Sequence, residues 1–456
     1  MSRTPEPPHE RGSSLYVYAV STVAATAGLL FGFDIAVING AIIYLRDQFH
    51  LTELQTEFAT SALLVGCVAG ASVAGWLSDR FGRRLTLGLA ALLFALSSIG
   101  AALPRNLTEF SSARFIGGVA VGVASMLAPL YIAEVSPARI RGRLVSLNQM
   151  AITTGILLSY FVNWRLSFLG PVAWRYMFAA AAVPSFLFLI AMFLVPESPR
   201  WLTETGNEDA ALDVLTRVSG RSRALEELGE IKEVIAEESG TLRELLEPGF
   251  RRALGIAVAL AVLQQVTGVN TVLFYGSVIF REQVGQNSES AALGANVVIG
   301  LVNILATIVA IWLIDKLGRR PLLMFSAGAM AVCQIALGAA FLIQPPPAFL
   351  VLTAMLFSVA SFAVGLGPGV WVVMSEIFPT RVRGRAMSVA TISLWMACVA
   401  LTMTFLSLAS AITITGAFWL YSAMCVTTFL LVWRALPETK GKTLEEIEKL
   451  WKRPGR

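Results

Sequence analysis

Asp79-Arg80-Phe81-Gly82-Arg83-Arg84 recurs half a chain later as Asp315-Lys316-Leu317-Gly318-Arg319-Arg320, each copy sitting between two long uncharged runs. Two more stretches repeat in the same order. Glu134-Val135-Ser136-Pro137-Ala138-Arg139-Ile140-Arg141-Gly142-Arg143 returns as Glu376-Ile377-Phe378-Pro379-Thr380-Arg381-Val382-Arg383-Gly384-Arg385, and Pro196-Glu197-Ser198 returns as Pro437-Glu438-Thr439. Three motifs duplicated in one order divide the chain into two related halves. Parallel repeats of this kind are a transporter architecture whose binding site lies between the repeats near the bilayer midplane.

Working outward from the motifs, the uncharged runs set the fold. With 56% hydrophobic and only 14% charged residues the chain is no ordinary soluble enzyme or nucleic-acid binder. About 20 apolar residues of helix cross a bilayer. Runs free of Asp, Glu, Lys and Arg cover 12–33, 58–78, 85–104, 115–133, 144–164, 176–196, 253–280 and 290–314, one crossing each. Two longer runs, 321–375 and 386–433, are broken by Pro345-Pro346-Pro347 and by Ser410 to Thr415, so each reads as two helices. The spacing predicts an all-α polytopic membrane protein with twelve transmembrane helices in two six-helix bundles. A β-barrel would need alternating hydrophobicity, which these runs lack.

The net charge of +5 is a topology signal. The loops after helices 2, 4, 8 and 10 carry three basic residues each, whereas the opposite loops and helix ends share Arg46, Arg105, Arg114, Arg165, Arg175 and Arg281. The positive-inside rule then puts both termini in the cytoplasm of a cell (inner) membrane protein. The domain organisation is a cytoplasmic tail 1–14, a first bundle 15–196, a charged helical linker 197–252, a second bundle 253–436 and a cytoplasmic tail 437–456. In the linker, Ala224 to Glu238 has the pattern of an amphipathic helix, and Thr443 to Glu448 in the tail reads as a capped short helix. Cys67, Cys333, Cys398 and Cys425 are scattered in apolar surroundings, so neither a disulfide framework nor a metal site is indicated.

The acids of the repeated motifs invite a further reading. Asp79, Glu134, Asp315 and Glu376 stand beside Arg83, Arg141, Arg319 and Arg383, and charge-assisted pairs among them could tie the two halves together on the cytoplasmic face. Such a latch forms when the opposite face is open and breaks when the cytoplasmic face opens. Anchoring by the positive-inside rule is the plainer alternative.

One acid falls well inside a predicted span. Asp34 lies in helix 1, about two-thirds of the way to the outer face, and Arg114, about two turns into helix 4, reaches the same depth. An intramembrane carboxylate is costly and marks function. Protonating Asp34 would release Arg114, which couples a proton to rearrangement; a static ion pair is the alternative. Neither His9 nor His50 lies within a span, and no phosphate-binding loop is present, so an ATP-driven pump is excluded. No cofactor is implied, and no enzyme, since no nucleophile–base or metal-ligand cluster is visible.

Together the duplicated Asp-Arg-x-Gly-Arg-Arg loops, Pro196-Glu197-Ser198-Pro199-Arg200-Trp201-Leu202, Gln264-Gln265-Val266-Thr267-Gly268-Val269-Asn270 and Pro437-Glu438-Thr439-Lys440-Gly441 resemble the sugar porter branch of the major facilitator superfamily, over Tyr16 to Trp451. The resemblance implies the major facilitator fold and alternating-access import of a monosaccharide, hexose or pentose. It includes bacterial proton-coupled xylose, galactose and arabinose symporters and animal facilitative glucose transporters. Proton-coupled members carry an aspartate where Asp34 stands, which favours proton symport. A facilitative uniporter and a nontransporting sugar receptor are the alternatives. The partners implied are the sugar, a proton and the lipid bilayer, with no nucleic acid and a functional monomer.

A sugar offers hydroxyls and apolar ring faces, so its site needs amides beside aromatic rings. Helix 7 supplies Gln264, Gln265 and Asn270, positions that hold the sugar in the family, although an intramembrane amide also serves to join helices. By the same resemblance Phe31, Gln149, Asn303, Trp371 and Trp395 are sugar contacts. Each tryptophan falls about a dozen residues from Arg383, roughly 18 Å along a helix, which is midplane depth rather than interface depth. Tyr275 resembles an aromatic gate residue, with packing as the alternative. Gly365-Leu366-Gly367-Pro368-Gly369 would let helix 10 bend. Three positions depart from the family pattern: Leu394 replaces a common Gln or Asn, Phe274 the first of a frequent tyrosine pair, and Ala363 a glutamate common in animal facilitators.

Overall fold

The structure, a computed structural model, describes residues 13–440 apart from 138, 238–241, 284–288 and 379. The first twelve residues, the short helix read at Thr443 to Glu448 and the side chain of Asp315 lie outside the described residues. Eleven helical stretches are long and apolar enough to cross a bilayer. The longest, Arg141–Met192 with 52 residues, reverses at Gly170-Pro171 and therefore holds two crossings. The described residues thus contain twelve crossings and no strand.

The first bundle comprises helix 1 (Ser14–Phe49), helix 2 (Glu53–Phe81), helix 3 (Arg83–Ala102), helix 4 (Leu107–Glu134), helix 5 (Arg141–Leu166) and helix 6 (Ala173–Ala180 continuing as Ala182–Met192). Local chemistry sets several of these starts. Thr52 and Gln55 form a reciprocal capping box on helix 2, and Asn106 caps helix 4 through the Glu109 amide. Helices 2 and 4 then pack backbone to backbone. A Cβ on Gly118 would stand 1.8 Å from the Leu63 carbonyl, and one on Gly66 would stand 2.1 Å from that of Phe115. Small residues are how membrane helices gain contact, since lipid supplies no hydrophobic drive between them.

The second bundle comprises helix 7 (Pro248–Gln265, then Val269–Val278), helix 8 (Glu289–Leu317), helix 9 (Arg319–Ala340), helix 10 (Ala348–Val364, then Leu366–Glu376), helix 11 (Thr380–Thr402) and helix 12 (Phe405–Ala435). Helix 7 starts at Pro248, inside the charged linker, because Pro at the first helical position is preorganised for a start. Helix 7 is broken at Val266 to Gly268 and helix 10 at Gly365. The reversal placed at Ser410 to Thr415 begins earlier, after Thr402, and ends at Thr413, whose backbone is left-handed (φ 69°). A short helical turn on the protein surface fills the interval.

The linker folds as Pro199–Glu204, Glu208–Ser219 and Arg221–Glu237 around its own small core of Leu202, Ala211, Val214, Leu215, Ala224 and Leu228, and a following 3-10 turn, Leu242–Leu246, places Leu245 in the main core. It is docked on the first bundle, where the Trp201 indole donates to the Asp79 carbonyl at 2.9 Å and the Ser13 amide donates to Arg217 O at 3.0 Å. Around both bundles large apolar side chains face outward, among them Trp76, Trp312, Phe325 and Phe357. So continuous an apolar surface requires lipid rather than water as its solvent.

Candidate functional site

Asp34 and Arg114 are both buried, and the guanidinium donates from Nη1 to Asp34 Oδ1 and from Nη2 to the Asp34 carbonyl at 2.8 Å. The Phe178 ring lies 5.1 Å from the same guanidinium. Asp34 Oδ2 is buried with no hydrogen-bond partner, so one lone-pair face of the carboxylate is unused. Asp34, Arg114 and Phe178 all belong to the first bundle.

The amides of helix 7 divide into two roles. Gln264 is buried and donates to the carbonyls of Leu366 at 2.7 Å and Gly367 at 3.1 Å, in the first turn after the break in helix 10. Its own oxygen accepts from Gln265 at 3.4 Å. Gln264 is therefore spent on holding one broken helix to another. The break in helix 7 folds Asn270 back toward Gln265, so that Asn270 Nδ2 donates to Gln265 Oε1 and to Cys398 Sγ at 3.5 Å, leaving the Asn270 oxygen open.

Among the remaining candidates one pair meets across the bundles. Phe31 of helix 1 and Trp395 of helix 11 are ring neighbours across the interface, 5.7 Å apart. Trp395 is buried and its indole N–H has no partner. Gln149 on helix 5, Asn303 on helix 8 and Trp371 on helix 10 make no side-chain hydrogen bond to any described residue. Buried or half-buried donors and acceptors left open in this way are uncommon in a folded chain.

On the face opposite the arginine loops the bundles are sewn together. Asn39 of helix 1 donates to Leu273 O at 2.7 Å and accepts from the Ser277 amide at 3.0 Å and from Asn296 at 3.1 Å, while Tyr160 donates to Leu273 O at 2.9 Å. Arg281 meets Asp47 at 2.9 Å. Glu57 accepts from the Ser407 amide at 2.8 Å and hydroxyl at 2.6 Å, and Glu53 from Ser410 at 2.7 Å. Tyr275 is fully buried, donating to Thr402 O at 2.8 Å with its ring 5.2 Å from Phe405, so it closes helix 7 onto helices 11 and 12. Asp34 is thus not the lone intramembrane acid: Glu57 is wholly buried in helix 2. Reading spans as charge-free runs pushes every acid to a boundary and hides such a residue.

The arginine-rich face is organised twice over by one plan. Arg83 meets Glu134 through Nε at 3.1 Å and Nη2 at 3.2 Å, with Asp79 at 3.5 Å and Glu204 at 3.7 Å; Arg319 meets Glu376 at 2.9 Å. Ser198 donates to Glu134 and Thr439 to Glu376. Glu197 accepts from the amides of Arg83 and Arg84, and Glu438 from those of Arg319 and Arg320, which caps helices 3 and 9. This explains the glycine of the motif: Gly82 and Gly318 hold φ 87° and 92°, and a Cβ at Gly82 would stand 2.3 Å from Glu197 Oε2. The reading in which these acids bridge the halves concerns the state open on the opposite face, and this conformation is closed there. The Arg83 and Arg319 pairs run within each bundle, because Glu134 and Glu376 end their helices beside their own bundle's motif arginine. Arg141 reaches Ser136 O at 3.5 Å and Arg383 reaches Phe378 O at 3.4 Å.

The family described as "Sugar (and other) transporter" matches residues 20–451. The chain belongs to this family. The arabinose-proton symporter of Bacillus subtilis (strain 168) is 39% identical over 456 residues, covering 98% of each chain. The major facilitator proton:xylose symporter XylE bound to 6-bromo-6-deoxy-D-glucose superposes with a TM-score of 0.82 at 38% identity, covering 96% of this chain and 100% of that chain. The partially occluded inward open conformation of the xylose transporter XylE from E. coli gives 0.84 at 37% identity, covering 94% and 100%. The fold is the major facilitator fold, and the chain is a multi-pass membrane transporter and not an enzyme.

The three positions read as departures, Leu394, Phe274 and Ala363, are buried. The residues that sequence reasoning missed are the uncharged polar ones of the seam, Asn39, Tyr160, Asn296 and Ser407, together with Glu57. A polar side chain inside an apolar run was the available signal for Asn39 and Asn296.

Proposed function

We propose that the chain imports a monosaccharide, hexose or pentose, together with a proton by alternating access of two bodies, 15–196 and 253–436. The sugar binds between them to Gln149, Gln265, Asn270, Asn303, Trp371 and Trp395, with Phe31 against the Trp395 ring. Gln264 holds the site's shape from behind. The hydrogen-bonding groups left open at Gln149, Asn303 and Trp395 support this reading, because a polyol satisfies several at once. That the similar chains are proton symporters of arabinose and xylose fits a small sugar.

The observation that carries the coupling is the buried Asp34 carboxylate, held by Arg114 through one oxygen and unused at the other. A proton arriving at Oδ2 neutralises the pair's acid, weakens its hold on Arg114 and frees helix 1 relative to helix 4. Tyr275 and the seam around Asn39 form the outer gate. The arginine-rich face is cytoplasmic, with both termini inside the cell membrane, and the inner gate forms there when the outer face opens, as Asp79, Glu134, Asp315 and Glu376 meet Arg83, Arg141, Arg319 and Arg383 across the bundles. The protein works as a monomer.

Adding xylose, arabinose, galactose or glucose to de-energised cells that express the chain tests the reading. Proton entry should alkalinise the medium with at least one sugar. Sugar entry with no pH change for any of the four contradicts symport.

A further inference from the structure

The outer seam contains a contact that the sugar and proton sites do not use. Glu57 is fully buried near the start of helix 2, and both of its oxygens accept from one residue of the other bundle, Ser407. Ser407 stands in the first turn of the helix that begins at Phe405, and the N-cap of that helix, Thr404, gives no side-chain cap. A helix N-terminus with uncapped amides attracts a carboxylate. Glu57 supplies that cap from across the bundle interface. One turn earlier on helix 2, Glu53 accepts from Ser410, so the contact is a two-rung ladder between helix 2 and the turn into helix 12. No basic side chain pairs with Glu57 among the described residues.

We propose that Glu57 is the latch of the outer gate: a carboxylate that caps in trans the short helix at Phe405, which leads through the kink at Thr413 into helix 12, while the outer face is closed and must release it each time that face opens. The proposal rests on the alternating-access reading, but its test needs neither sugar nor proton gradient. Opening separates helix 2 from Ser407, returning the carboxylate to water and leaving the Ser407 amide for water to satisfy. The latch therefore biases the closed side of the equilibrium without being part of either binding site.

Spin labels at Thr108→Cys and Ser290→Cys, on the outer ends of helices 4 and 8, report the gap between bundles in full-length protein in lipid nanodiscs. A Cys333→Ser background removes the half-buried native thiol. Glu57→Gln and Ser407→Ala should each raise the ratio of the long to the short distance, by about tenfold for Glu57→Gln, as the loss of a charge-assisted hydrogen bond predicts. Ser407→Thr, which keeps amide and hydroxyl, should leave the ratio near wild type. Should Glu57→Gln fail to fold, the Ser407 pair carries the test. An unchanged distribution in Glu57→Gln and Ser407→Ala overturns the latch, and so does a shift in Ser407→Thr as large as that in Ser407→Ala.

Discussion

Arg114 donates to both the carboxylate and the backbone carbonyl of Asp34, so a single guanidinium fixes the acid and the helix that bears it. Removing one partner of a buried pair leaves an uncompensated charge, at a cost of about 3–5 kcal/mol. Arg114→Ala should lose most of the folded protein recovered from membranes and lower the melting temperature of the remainder. Arg114→Lys, which keeps the charge but not the fork, should fall between. Size-exclusion profiles and thermal unfolding in detergent check both.

The helix 7 amides should separate by phenotype. Asn270→Ala removes a side chain with an open oxygen and should weaken sugar binding about tenfold or more with little loss of stability. Gln264→Ala strips two carbonyls of helix 10 of their donor and should lower thermal stability as well. Sugar-induced quenching of tryptophan fluorescence, measured beside thermal unfolding, distinguishes the two.

Outside the membrane, Glu438 carries a pH dependence whose sign is fixed. Burial pushes its carboxyl up, but hydrogen bonds from the backbone amides of Lys440, Arg319, Arg320 and Thr439 outweigh this and hold it below the ordinary value of 4.5. A depressed carboxyl contributes stability that is present above 4.5 and lost as pH falls below it. Melting temperature should drop between pH 5 and lower values more in wild type than in Glu438→Gln. Parallel curves would remove Glu438 from the account.

Close packing of helices 2 and 4 gives a steric prediction. A methyl at position 118 would meet the Leu63 carbonyl at 1.8 Å, a backbone atom that gives way only if the helices part. Gly118→Ala should therefore destabilise the protein, while Gly88→Ala, where a Cβ meets nothing within 4 Å, should not. Melting temperatures of the two variants decide it.

Much of this was legible in the sequence because a bilayer allows few solutions. Uncharged runs of helical length must cross it, and the repeated Asp-Arg-x-Gly-Arg-Arg loops fix where the two bundles correspond. Asp34 and Arg114 were legible by depth, since each helix advances a set distance per residue. The partition of Gln264 from Gln265 and Asn270 was not, because it depends on breaks at Gly268 and Gly365 that bring the carbonyls of Leu366 and Gly367 within reach of Gln264. Glu57 was hidden for a different reason: its partner Ser407 lies in a turn whose course follows from tertiary packing, and nothing local marks a cap supplied by another bundle. The function of Glu197 and Glu438 was visible only as a repeat, and became a capping role once the chain ends of the bundles were seen to return to the arginine loops.

The central claim, that Asp34 couples sugar movement to protons, is tested most directly by uptake of radiolabelled xylose, arabinose, galactose and glucose into proteoliposomes with and without an inward proton gradient. Wild type should accumulate at least one of these sugars only with the gradient, and Asp34→Asn should lose accumulation while still exchanging internal for external sugar. Uptake that reaches the same level with or without the gradient, in wild type and Asp34→Asn alike, would contradict the account and leave Asp34 as a structural partner of Arg114.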